Sequence, residues 1–171
     1  MIRRLRSLFL KEREERVEVD INPLIDDTLG CSGATSRARA SWCASLARRA
    51  CPPILGDPIQ LRQVVLNVIV NAAEAITLAA DGPREIGIET SRPAVGRIAI
   101  AIRDSGVGAR DLELERMFEH FVSTKPQVLG MGLAISRSIV EAHGGRIWAT
   151  LNEDRGLTFN VEFPGEGVKT Q

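Results

Sequence analysis

The sequence has no excess charge of either sign: Lys plus Arg and Asp plus Glu both number 22. The uniform basic field of a nucleic-acid or anionic-membrane binder is missing, so no nucleic-acid partner is expected. No apolar run approaches the roughly 18 residues of a transmembrane helix. The start, Met1-Ile-Arg-Arg-Leu-Arg-Ser-Leu-Phe-Leu10, has a basic lead but too short an apolar stretch for a signal peptide. These absences predict a cytoplasmic chain without a transmembrane segment. Cysteine is scarce: Cys31, Cys43 and Cys51 are odd in number and lack CxxC spacing, which indicates neither a disulfide framework nor a zinc site. What the chain does have is 171 residues at 44% apolar composition, enough for one ordinary core and hardly for two.

Residues 2–16 carry Ile2, Leu5, Leu8 and Phe9 among many charges, a helical spacing with one apolar stripe. Val17-Glu-Val-Asp-Ile21 alternates like a strand, and Asn22-Pro23 opens a short helix through Leu29. Residues 31–52 are anomalous. They hold all three cysteines, much Arg, Ala and Ser, no acidic residue and no clear period, so they are expected to be loop or irregular helix. At Asp57-Pro58 an N-cap and a first-turn proline start a long helix to about Ala80, with Gln60 placed as a capping-box partner. Asn67, Asn71 and Glu74 share a face of that helix apart from its aliphatic positions. Two alternating runs, 85–90 and 97–103, read as an antiparallel pair; a helix over 132–143 and a second hairpin over 146–163 follow. The pattern predicts an α/β (α+β) two-layer sandwich with a mixed, mostly antiparallel sheet and helices on one face.

Asp104-Ser-Gly-Val-Gly108 sets a carboxylate at a strand end, where it can accept a hydrogen bond from an adenine amino group. Gly106 and Gly108 permit close approach, although a plain structural turn has the same look. Gly130-Met131-Gly132-Leu133 stands just before a helix, where free N–H groups and the dipole attract phosphate; a flexible loop and cap is the alternative. Asparagine is a mediocre helix former, so Asn67 and Asn71 need hydrogen-bond partners or a ligand. A neutral amide oxygen suits Mg2+ already balanced by phosphates and water. In this order the three elements describe a pocket for Mg-ATP.

Together these residues resemble the ATP-binding catalytic domain of bacterial sensor histidine kinases, within the superfamily that includes gyrase, Hsp90 and MutL. The resemblance covers about residues 54–164. Asn67 to Glu74 is similar to the family's asparagine box, Asp104 to Gly108 to its first glycine box, Met117 to Lys125 to its phenylalanine box, and Gly130 to Gly145 to its second glycine box. The short lid and Ser123-Thr124-Lys125 look like the oxygen-sensing and nitrogen-regulatory branch. The resemblance implies that Asn71 ligates Mg2+, that Asn67 supports the phosphates or metal, and that Asp104 reads adenine. It places Gly106, Gly108, Gly130, Met131, Gly132 and Leu133 around the nucleotide. Lys125 becomes a γ-phosphate contact that balances charge developing in transfer, or else an exposed loop lysine. Phe118 and Phe121 would anchor the lid, Arg137 would approach phosphate or face solvent, His143 would cap a helix and His120 would sit in the lid.

The same resemblance implies a division of the chain. Residues 1–16 look like the remnant of the second dimerisation-hairpin helix, 17–164 like the ATP-binding domain, and 165–171 like a tail. No histidine precedes His120, so the phosphoacceptor is expected on a histidine-bearing dimerisation domain in trans or from a longer parent chain, with a response regulator as the further partner. Where gyrase and MutL place a water-activating Glu one turn before the metal-binding Asn, this chain has Asn67, which disfavours hydrolysis. The leading expectation is therefore a protein-histidine kinase. The alternatives are a degenerate nucleotide-binding module, suggested by Val128 where the second glycine box usually begins, and an anti-sigma-type serine kinase. Residues 31–52 depart from the family, whose apolar strand belongs there, as an out-of-frame translation of a GC-rich gene would; resequencing that returned the same frame would end that idea.

Overall fold

Alternating apolar residues form the strands of this protein, and apolar residues at helical spacing form the helices that cover them. The computed structural model describes residues 16–31, 43–109, 114, 116–119 and 131–165. Along the chain run β1 (Val17–Val19), α1 (Ile21–Cys31), β2 (Cys43–Arg48), β3 (Ile54–Gly56), α2 (Pro58–Leu78), β4 (Glu85–Ser91), β5 (Arg97–Asp104), a 3-10 turn (Arg116–Phe118), α3 (Gly132–Ala142), β6 (Arg146–Leu151) and β7 (Leu157–Pro164). Five strands form one sheet in the order β2-β4-β5-β7-β6, while β1 and β3 make a separate antiparallel pair. Only the β2–β4 contact of the large sheet is parallel. The fold is the expected α/β two-layer sandwich.

The sheet's inner face is set by period-two alternation. Ile86 and Ile88 on β4, Ile98, Ile100 and Ile102 on β5, and Phe159, Val161 and Phe163 on β7 are all buried. The register stacks them across strands, with Ile102 beside both Ile88 and Phe159. Against this face lies α2, which buries Leu61, Val64, Val65, Val68, Ile69, Ala72 and Ile76 on one side. By length and composition alone α2 is apolar enough to cross a membrane, although Arg62, Asn67, Asn71 and Glu74 interrupt its apolar run. Its buried residues meet the sheet and α3, which makes it the core helix.

The start of α2 follows the sequence only in part. Asp57 is the N-cap, its Oδ1 accepting from Ile59 N (2.8 Å) and Gln60 N (3.3 Å), with Pro58 in the first turn. Gln60 does not complete a capping box. The Asp57 N–H is donated instead to Nε2 of His143, 3.1 Å away, and the other ring nitrogen lies 2.8 Å from the Ile139 carbonyl. His143 is thus the helix C-cap expected of it, and also the missing half of the cap of another helix.

Residues 43–48 correct the expectation of loop or irregular helix for the anomalous stretch. They form β2, pairing with β4 from Cys43 opposite Glu85 to Arg48 opposite Thr90. The pairing is made by backbone. Leu46, opposite the buried Ile88, remains 43% exposed, and Arg48 forms a two-pronged ion pair with Asp26 of α1. The helix expected over 2–16 lies outside the described residues apart from Arg16, whose guanidinium donates to the Ala142 carbonyl.

Candidate functional site

Asp104 is the last residue of β5 and is 1% exposed. Its Oδ1 accepts from Gly106 N at 2.8 Å and from Leu157 N at 3.3 Å. Its Oδ2 has no partner, and no other buried side-chain nitrogen or oxygen among the described residues is so placed. Burial pushes the carboxyl above the usual range, against the pull of those two N–H groups. A buried oxygen without a donor is costly, and a donor from outside the fold would offset that cost.

The loop after β5 lies directly on α2. A Cβ on Gly106 would come within 2.6 Å of Ala75, Val107 N donates to the Ala75 carbonyl at 3.3 Å, and Gly108 turns the chain with φ of 71°. Only a residue without a side chain fits at position 106. On the other side of Asp104 stands the β6–β7 turn. Asn152 donates from Nδ2 to the carbonyls of Asp104 and Arg155, each at 2.9 Å, and its Oδ1 accepts from Thr158 Oγ1 at 2.6 Å. Gly156, with φ of 80°, sits so close that an added Cβ would lie 2.1 Å from the Asp104 carbonyl.

The two asparagines differ. Asn67 donates to the Gly132 carbonyl (3.0 Å) and to Ser136 Oγ (3.2 Å), tying α2 to the first turn of α3. Asn71, one turn on and half-buried, makes no side-chain hydrogen bond among the described residues. The start of α3 has no side-chain cap: Met131 occupies the N-cap position without one. Gly132 is exposed, and a Cβ there would meet only ordinary contact with Asn67, 3.7 Å away, so packing does not demand glycine. Met131 and Leu133 are half-buried beside it. No cluster of three or more His, Cys, Asp or Glu occurs among the described residues, so a metal here would be held by neutral oxygens and by what arrives with it.

Lys125 and Gly130 lie outside the described residues, as do His120 and Phe121. Phe118 is buried and meets Phe159 edge to face, with ring centroids 6.5 Å apart. Arg137 pairs with Glu141 at 2.8 Å on the exposed side of α3, the solvated alternative for that residue. A cavity of about 360 Å³ flanks α2 between Val70, Ala73, Glu74, Thr77 and Leu78. The sequence alone does not point to Ser136, Asn152 or Gly156. Their signals there are a lone serine in a helix and an ordinary Asn-to-Gly turn.

Known proteins carry the same architecture. The chain is 38% identical to the sensor protein FixL of Bradyrhizobium diazoefficiens over 167 residues, which is 96% of this chain and 32% of FixL. It therefore spans about a third of that relative. Among solved structures, the mycobacterial sensor histidine kinase MprB superposes with a TM-score of 0.73 at 27% identity, covering 88% of this chain and 97% of that one. Full-length ShkA, solved in complex with AMPPNP, gives a TM-score of 0.75 at 27% identity, over 90% of this chain and 32% of ShkA. Residues 56–167 match the family of histidine kinase-, DNA gyrase B-, and HSP90-like ATPases, and this chain is a member of it.

Proposed function

We propose that the chain is the ATP-binding catalytic part of a two-component sensor protein-histidine kinase, passing the γ-phosphate of ATP to a histidine on a dimerisation domain. The observation that carries this reading is the buried Oδ2 of Asp104, which lacks a donor inside the fold. The exocyclic amino group of adenine is such a donor, whereas guanine presents a carbonyl at the corresponding position. Gly106 and Gly108 keep the wall beside the base free of side chains, and the uncapped start of α3, with Met131, Gly132 and Leu133, offers N–H groups to phosphate; Gly130 is assigned to the same group by its place in the sequence.

Asn71 is the residue suited to Mg2+, because its amide is free to turn its oxygen toward an ion, whereas the Asn67 amide is held in place by its Nδ2 donations to Gly132 and Ser136. Bound with the nucleotide, the ion supplies charge neutralisation for the phosphates. Asn67 acts one step back, holding the start of α3 against α2. Lys125 is assigned to the γ-phosphate, where its ammonium balances charge as a histidine nitrogen bonds to phosphorus and the bond to the bridging oxygen of ADP breaks. The acceptor histidine belongs to a dimerisation domain, in trans or from a longer parent chain, with a response regulator receiving the phosphoryl group next. The site of action is the cytoplasm.

Calorimetric titration of Mg-ATP into the chain tests the reading. Saturable binding that is lost in Asp104→Ala, followed by phosphate transfer to a separate histidine-bearing hairpin, is the expected result. A folded chain that ignores Mg-ATP would reject it.

A further inference from the structure

We infer that Asn152, in the turn between β6 and β7, is a positioning residue that decides which oxygen of Asp104 is presented to the nucleotide base. The inference rests on the adenine-reading role proposed above. A carboxylate has two equivalent oxygens, and a site that reads a base with one must fix the other. Oδ1 is fixed by two N–H groups of different origin. That of Gly106 belongs to the loop following Asp104 itself, whereas that of Leu157 belongs to β7 and is only as well placed as the turn before it.

Asn152 places that turn. The described main-chain pairing of β5 with β7 ends at Arg103 opposite Thr158. One step further, the Asp104 carbonyl is taken by Asn152 Nδ2, and the Leu157 N–H goes to Asp104 Oδ1. Both amide donors and the amide oxygen of Asn152 are used, on Asp104, Arg155 and Thr158, while its own N–H goes to the Gly156 carbonyl at 3.2 Å. The left-handed glycine at 156 lets the turn close this tightly on Asp104. Side chain, turn and strand end thus form one unit that holds the rotamer of Asp104 and keeps water from it.

Without the Asn152 amide, the turn loses its tie to β5 and the Leu157 N–H is no longer held at Oδ1. The carboxylate is then freer to rotate, better hydrated, and less able to prefer an amino group over a carbonyl. The test is calorimetric titration of the full chain with Mg-ATP and with Mg-GTP, over a range of pH, on Asn152→Ala, Thr158→Val and, as a control in the same turn, Glu153→Ala. Asn152→Ala is expected to weaken Mg-ATP by about fivefold to tenfold, the equivalent of one lost hydrogen bond. The ATP-to-GTP preference should shrink with it, and the acid limb of ATP binding should shift, because the carboxylate gains water and loses the Leu157 N–H. Thr158→Val, which removes only the hydroxyl on Oδ1 of Asn152, is expected to move all three readouts the same way by less, and serves where the alanine variant does not fold. Glu153→Ala should match the wild type.

Equal weakening of both nucleotides, or a lower melting temperature with preference and pH profile unchanged, would reduce Asn152 to a structural turn residue and overturn the inference. A wild-type chain that does not bind Mg-ATP, or one in which Asp104→Ala binds normally, would overturn the nucleotide reading and this role together.

Discussion

A single atom without a partner, Oδ2 of Asp104, sets the proposed base reader apart from a plain turn, and its chemistry has a pH signature. Burial raises the carboxyl above its ordinary value, so the apo fold gains relative stability as Asp104 is protonated. An amino group donates more strongly to the ionised form, and a proton on Oδ2 would stand where that donor has to come. Affinity for Mg-ATP is therefore expected to fall as pH drops through a value above the usual aspartate range of about 3.9, while Asp104→Asn, with no proton to gain, gives a flatter profile in the same titration. If wild-type affinity held constant down to that range, the carboxylate would not be the base reader. His143 makes a second argument from one residue. It occupies the N–H of Asp57 and the carbonyl of Ile139 from the interior, 5% exposed, and leaves no room for a side chain at Gly56. His143→Ala strands the Asp57 N–H and opens a gap, which is expected to cost about 2–4 kcal/mol in urea unfolding.

Elements differ in how far their own residues explain them. The α2 helix was legible because its cap, its first-turn proline and its aliphatic spacing are all local, and the β4–β5 and β6–β7 hairpins because each strand alternates around a turn. Asp104, Gly106 and Gly108 were legible for the same reason, lying within five consecutive residues at a strand end. Strand β2 was not. It lacks an apolar inner stripe, and what makes it a strand is the free edge of β4, a property of another part of the chain. Asn152 and the second role of His143, as acceptor for the Asp57 N–H at the start of α2, were hidden likewise, since their partners stand 48 and 86 residues away. The difference predicts unequal costs across one rung of the sheet. Ile88→Ala, 2% exposed at the centre of the core, should destabilise by about 2–5 kcal/mol. Leu46→Ala, directly opposite, should cost under about 1 kcal/mol. Equal costs in urea melts would mean that β2 contributes core packing rather than backbone pairing.

Across the molecule, the candidate site is the place where both layers meet. Asp104 comes from the sheet, Asn71 from the core helix, and the start of α3 is held to that helix by Asn67, so a nucleotide bound as proposed would touch all three. A ligand bound by several elements of the folded chain, and by none of them when unfolded, stabilises the whole fold by mass action. At about a hundredfold excess over its Kd, Mg-ATP adds ~2.7 kcal/mol. For a domain of this size each kcal/mol raises Tm by roughly 2–4 °C, giving an expected rise of about 5–10 °C. Asp104→Ala should lose that rise while keeping its own melting transition, because the variant removes the proposed reader of the base and not the layers that carry it. Saturable calorimetric binding without a thermal shift would place the nucleotide on the periphery, away from the junction of sheet, core helix and α3.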